Sequence, residues 1–330
     1  LSGPFPEEIP RLTRLEFLDL DNNCLETLSP EIGSLQMLTL LGLNNNRLTS
    51  LPKALTALPS LLAFGGTVNR MTGLLPTWIT RLQNLELLAL GKNKLNGSIP
   101  KTIGALSSLE RLTLDNNMFD GRIPEALSQL TRLTQLYLGN NALAGNIPGS
   151  MAALTRLRSL HLDGNELDGT IPESLLTALN ALEYLYLGSN RLTGDIPESV
   201  MALAQLKTLS LYANMLNGSI PEGIGRLGAL TKLRLHANKL TGTIPETFTR
   251  LTNLEYLSLH INKLSGTIPR GITALSKLKI LELGDNDLGG SIPASLGDMK
   301  GLQTVSLYNN RFLGPIPTTV SQLTNLEALW

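Results

Sequence analysis

The sequence predicts an α/β repeat solenoid: a right-handed superhelix with a parallel β-sheet on its concave face and irregular or short helical turns on the convex side. Three observations predict it. Thirteen cycles run in phase, starting at Leu15, Leu38, Leu61, Leu85, Leu109, Leu133, Leu157, Leu182, Leu206, Leu230, Leu254, Leu278 and Leu302. Position 9 of every cycle is asparagine, from Asn23 through Asn190 to Asn310. Leucines recur at positions 1, 4, 6 and 11, and most cycles then place Gly at 13 and Ile-Pro at 15 and 16, as in "LEYLYLGSNRLTGDIP" from Leu182. Self-similarity at a fixed period marks repeat architectures.

Each element follows from the spacing. Alternation around positions 4 and 6 has the period of a strand, so the leucines face one way and positions 3, 5 and 7 the other. The asparagine turns inward where the chain leaves the strand, and its amide satisfies backbone groups that the bend orphans. Gly at 13 suits a backbone position hostile to a Cβ. Ile-Pro fixes an extended segment, and the stretch "PESVMALAQL" after it leaves room for one or two short helical turns on the outer side. One cycle buries about seven apolar side chains at ~1.5–3 kcal/mol each. Ordering some 24 residues costs roughly 1–2 kcal/mol apiece in backbone entropy. A lone cycle is therefore unstable, and stacked cycles share a core. The chain reads as one domain, 1–330, with a partial repeat at 1–14, thirteen repeats at 15–325 and a truncated repeat at 326–330; its ends read as those of a fragment of a longer protein.

The pattern LxxLxLxxNxLxGxIPxx resembles the plant-type subclass of the leucine-rich repeat family over essentially the whole chain. The first two cycles depart from it, being 23 residues long and lacking the Gly, and the third places Phe64 and Gly66 where leucines belong. The resemblance implies an ectodomain of the receptor-like kinase or receptor-like protein kind. Such receptors carry cysteine pairs in their terminal caps; this chain has a single cysteine, Cys24, and so no internal disulfide.

Lysine plus arginine equals aspartate plus glutamate at 27 each, so net charge gives no basis for binding nucleic acid or a membrane surface. No apolar run approaches the length of a membrane span. Two sequons, at Asn96 and Asn217, are candidate glycosylation sites.

The scarce ring-bearing residues mark the candidate site. All six tyrosines and all three histidines occupy outward strand positions. Tyr184 and Tyr256 stand at position 3; Tyr137, His161 and Tyr186 at position 5; Tyr212, His236, His260 and Tyr308 at position 7. The first five cycles carry none there, whereas cycles six to eleven carry eight of the nine. Lys207, Lys232 and Arg234 lie nearby, followed by Glu282 and Asp285. Tyrosine and arginine are favoured interface anchors. The expected binding surface is therefore Tyr137, His161, Tyr184, Tyr186, Tyr212, Lys232, Arg234, His236, Tyr256, His260, Glu282 and Tyr308 on the concave face.

No catalytic constellation is expected. Asp163 follows His161 by two residues, but no serine or cysteine nucleophile is placed with them, and the glycines belong to the repeat. His236 and His260 share a column without a clearly placed third ligand, so neither metal nor cofactor is expected. The expected function is non-catalytic recognition of a protein or peptide ligand, including a co-receptor or a secreted enzyme, in an extracellular setting. The alternatives are a secreted inhibitor of a glycan-degrading enzyme and a structural assembly scaffold, the latter compatible with a cytoplasmic location.

Overall fold

A computed structural model describes residues 2, 3, 5, 6 and 8–330. The chain is an α/β solenoid and clusters into two compact units, Leu1–Glu166 and Leu167–Trp330.

In the first unit seven short parallel strands lie side by side in chain order: Phe17–Asp19, Leu40–Gly42, Ala63–Gly65, Leu87–Ala89, Arg111–Thr113, Gln135–Tyr137 and Ser159–His161. Their middle residues are in register from Leu18 through Leu41, Phe64, Leu88, Leu112 and Leu136 to Leu160. All are buried. Phe64 fills a leucine's place in the degenerate cycle, and a Cβ on Gly66 would meet Met71 Cε at 2.8 Å, so Met71 packs where the missing leucine would lie. A second parallel ladder, Thr72–Leu74, Lys94–Ser98, Met118–Arg122 and Ala142–Asn146, forms just after the asparagine bend. Cys24 is half-buried in a strand paired with Ser2–Gly3.

The second unit repeats the first ladder with Tyr184–Tyr186, Thr208–Ser210, Lys232–Arg234, Tyr256–Ser258, Ile280–Glu282, Thr304–Ser306 and Ala328–Leu329. Its second ladder is reduced to Gly289–Gly290 with Arg311–Phe312 and two isolated bridges.

From Lys53 onward the outer side of each unit is made chiefly of five-residue 3-10 turns that begin immediately after a proline, such as Glu222–Arg226 and Glu246–Arg250. Proline presets the extended entry, and the turn closes when the leucine N–H at position 22 bonds back, as from Leu227 to Ile224 at 3.1 Å. The cycle from Leu157 to Leu182 is one residue longer, and the extra residue converts its turn into the α-helix Glu173–Ala178. Trp78 is half-buried in the turn Thr77–Arg81 beside buried Ile79.

The asparagine column does more than cap its own bend. Asn214 Nδ2 donates to the carbonyls of Leu211 and Tyr212 in its own cycle and of Leu187 in the preceding one, at 3.0–3.2 Å. Its Oδ1 accepts from Leu192 N–H of the preceding cycle at 2.9 Å. The amide thus ties neighbouring cycles, and it is the acceptor for the buried Leu192 N–H.

The bend also imposes a left-handed residue at position 8, with φ of 49–59° at twelve non-glycine residues. Asn22, Asn45, Asn116, Asn140 and Asn309 suit it; the β-branched Val68 and Ile261 do not. Ile261 is 48% exposed, so its side chain contributes little packing in return. Replacing Ile261 with Asn is expected to stabilise the protein by about 1 kcal/mol, read as a higher urea midpoint at unchanged m-value; an unchanged or lowered midpoint would contradict it.

Candidate functional site

All twelve candidate residues lie on the strand face, two in the first unit and ten in the second. In the first unit the Tyr137 and His161 rings pack at 4.2 Å, tilted by 44°. Ser159 Oγ lies 3.0 Å from His161 Nε2, which corrects the expectation that no serine accompanies this histidine. Ser159 is buried, because its small side chain is overlaid by larger neighbours, so the pair presents no accessible nucleophile. Burial lowers the His161 pKa against the opposing pull of Asp115, and burial raises that of Asp163.

In the second unit, position 7 forms a ladder. The Tyr212 and His236 rings stack at 4.9 Å and 16°, and His236 and His260 stack at 4.4 Å and 10°. Tyr212 and Tyr308 lean toward the preceding cycle. A Cβ on Gly188 would collide with the Tyr212 ring, and one on Gly284 would lie 2.7 Å from the Tyr308 ring, so glycine at these two positions makes the ladder possible.

Ser258 joins the histidines, with Oγ 2.9 Å from Nδ1 of both His236 and His260. A hydroxyl has one proton, so with both rings neutral one Nδ1 accepts from Ser258 and the other donates to it. His260 Nδ1 lies 3.6 Å from Glu282 Oε2, which favours the proton there and makes His236 the acceptor. The pKa of His236 falls to about 4, through burial first and then His260, with Arg234 acting in the same direction and Glu282 opposing.

Arg234 is the other centre. Its guanidinium carbon lies 4.8 Å from the centroid of the Tyr256 ring. Its Nε is buried and has no hydrogen-bond partner. Ser210, its register partner on the next strand, is fully buried, and its Oγ is also without a partner. Tyr256 OH donates to Glu282 Oε2 at 2.9 Å, and its pKa is raised by burial and then by that bond. Lys232 is exposed, in register with Thr208 and Tyr256. Lys207 pairs with Glu183 at 2.7 Å and lies 5.9 Å from the centroid of the Tyr184 ring. Tyr184 and Tyr186 flank buried Leu185, both half-buried. Tyr308 is more exposed than the other tyrosines, at 43%.

The rings and charges alone miss a floor of small polar residues. Ser210, Ser258, Ser306 and Thr208 occupy outward positions yet are buried beneath larger neighbours. The signal is an alternation at position 5: Tyr186, Ser210, Arg234, Ser258, Glu282, Ser306. Among the described residues no group of three or more His, Cys, Asp or Glu lies together as metal ligands, and no helix is long and apolar enough to cross a membrane. The sequon asparagines Asn96 and Asn217 are both exposed.

Strand, asparagine bend and 3-10 turn, repeated with a polar and aromatic strand face, define a repeat solenoid. The chain belongs to the leucine-rich repeat family: the leucine-rich repeat region profile matches residues 66–186, and leucine-rich repeat profiles match 228–288, 14–35, 181–203, 205–227 and 301–323. It is similar to the crystal structure of a TDR receptor, at 35% identity and TM-score 0.95, covering 99% of this chain and 57% of that one. The ectodomain of the Arabidopsis receptor kinase HAESA, in complex with an N-terminally extended IDA peptide hormone, matches at 32% identity and TM-score 0.83, covering 99% of this chain and 59% of that one. A leucine-rich repeat protein of Leptospira interrogans matches at 34% identity and TM-score 0.76, over 99% of this chain and 86% of that one. The chain thus spans little more than half the length of the two receptors. No curated protein sequence matches it.

Proposed function

We propose that the chain is a non-catalytic recognition segment of an extracellular, receptor-type ectodomain, and that it binds a peptide or protein segment on the strand face of Leu167–Trp330. The observation that carries this reading is Arg234, half-buried over the Tyr256 ring and, among the described residues, with no carboxylate paired to its guanidinium. A carboxylate from a bound segment pairs with the terminal nitrogens of the Arg234 guanidinium, and the aromatic ladder beside it offers contact area with polar tips. The ectodomains this chain is similar to include one solved with a peptide hormone bound, which supports the same class of ligand.

Peptides selected from a displayed random library on the immobilised chain are expected to carry an acidic residue. Arg234→Gln is expected to weaken them roughly tenfold, with no change in melting temperature. Selected peptides that bind the variant as tightly as the parent would place recognition elsewhere.

A further inference from the structure

Two strands beyond Arg234, an open cleft of about 400 Å³ is lined by His260, Glu282, Thr304, Ser306, Tyr308 and Trp330. Its lining has one carboxylate and neither lysine nor arginine. Glu282 Oε2 is occupied by the Tyr256 hydroxyl, while no hydrogen bond reaches Oε1. Ser306 lines the cleft, and its hydroxyl, which makes no side-chain hydrogen bond, is open to the same space. Ring faces attract cations, and two rings, Tyr308 and Trp330, wall the cleft. A free acceptor, an open hydroxyl and two aromatic rings form a seat for an N–H-bearing cation.

Building on the recognition reading above, we propose that this cleft takes a lysine or arginine side chain of the bound segment. The acid-binding group and the cation seat then fix the ligand's register. Arg234, Ser258 and Glu282 occupy one row on consecutive strands. At about 4.8 Å per strand the two charged groups are roughly 9.6 Å apart. A polyproline II segment rises about 3.1 Å per residue with three residues per turn, so residues three apart share a face at roughly 9.3 Å. An extended β segment puts residues three apart on opposite faces. The fitting ligand is therefore a polyproline II stretch with an acidic and a basic residue at i and i+3, in either chain direction.

The test uses peptides selected from the random library on the unaltered chain. Replacing their basic residue with norleucine is expected to weaken binding about tenfold. Glu282→Gln keeps an acceptor for Tyr256 and is expected to produce the same loss, but no further loss with the norleucine peptide, the signature of a direct contact. Ser306→Ala is expected to weaken the basic peptide about threefold. If Arg234→Gln weakens the peptides while Glu282→Gln and Ser306→Ala do not, the cation seat is overturned and the recognition face stands. If none of the three variants changes affinity, or no peptide is enriched, both readings fall.

Discussion

Asn214→Ala will lower the unfolding free energy by about 1–3 kcal/mol, a large loss for so few atoms removed. The asparagine accepts from Leu192 N–H and donates to three carbonyls, two in its own cycle and one in the cycle before. Alanine leaves that buried N–H without an acceptor, at about 1–3 kcal/mol, while the carbonyls keep their other donors: Asn190 Nδ2 on Leu187, Asn238 Nδ2 on Leu211 and Ser189 N–H on Tyr212. Two of the four bonds cross to the preceding cycle, so the substitution weakens the interface between neighbours on which a repeat protein's stability depends. Urea denaturation measures the loss. Native-state hydrogen exchange locates it, with the Leu192 amide expected to lose protection before amides several cycles away. An unchanged midpoint, or uniform loss of protection along the chain, would remove the cross-cycle role from this side chain.

The asparagine was legible because one residue type recurs at one position in thirteen cycles. The same holds for the inward leucines, for Gly at 13, which has positive φ throughout its column, and for the turns after proline. The left-handed residue at position 8 was not legible, since Asn, Lys, Ser, Ala, Asp, Val and Ile all occupy it; the bend sets that geometry, and the side chain accommodates it. The second ladder was equally silent. Its strands, such as Lys94–Ser98 beside Met118–Arg122, pair through the backbone beyond the asparagine and carry the Gly of position 13, and a glycine with positive φ does not read as a strand residue. At the candidate site, strand period gave direction but not depth. Position 5 points outward in every cycle, yet Ser258 is fully buried while Tyr186 and Glu282 are not, because each long side chain covers its short neighbour. Depth on such a face depends on the residues one cycle away, a relation that comparing positions within a cycle does not reveal.

Acidification is expected to cost the protein stability through His236, with the loss concentrated between about pH 6.5 and pH 4. Above pH 6.5 the ring is neutral in both the folded and unfolded chain, and it contributes no pH dependence. As pH falls from 6.5 toward 4 the unfolded chain takes up a proton that the folded chain refuses, so unfolding is increasingly favoured; below 4 both forms are protonated and the loss is complete. Folded His236 refuses the proton for structural reasons. Burial weighs most; its stacked neighbour His260 then lies 4.4 Å away, Arg234 adds positive charge, and its Nδ1 is the acceptor for Ser258, a role that protonation abolishes. Glu282 pulls the other way without reversing the balance. The ring is partly open to solvent, and screening reduces the full effect to on the order of 2 kcal/mol. Denaturation from pH 4 to 8 should show this slope in the parent, and His236→Phe, which keeps a stacking ring without a titrating nitrogen, should flatten it. Equal slopes in parent and variant, or a His236 ring signal in NMR that titrates near pH 6.5, would show that the stacked pair accepts the proton freely.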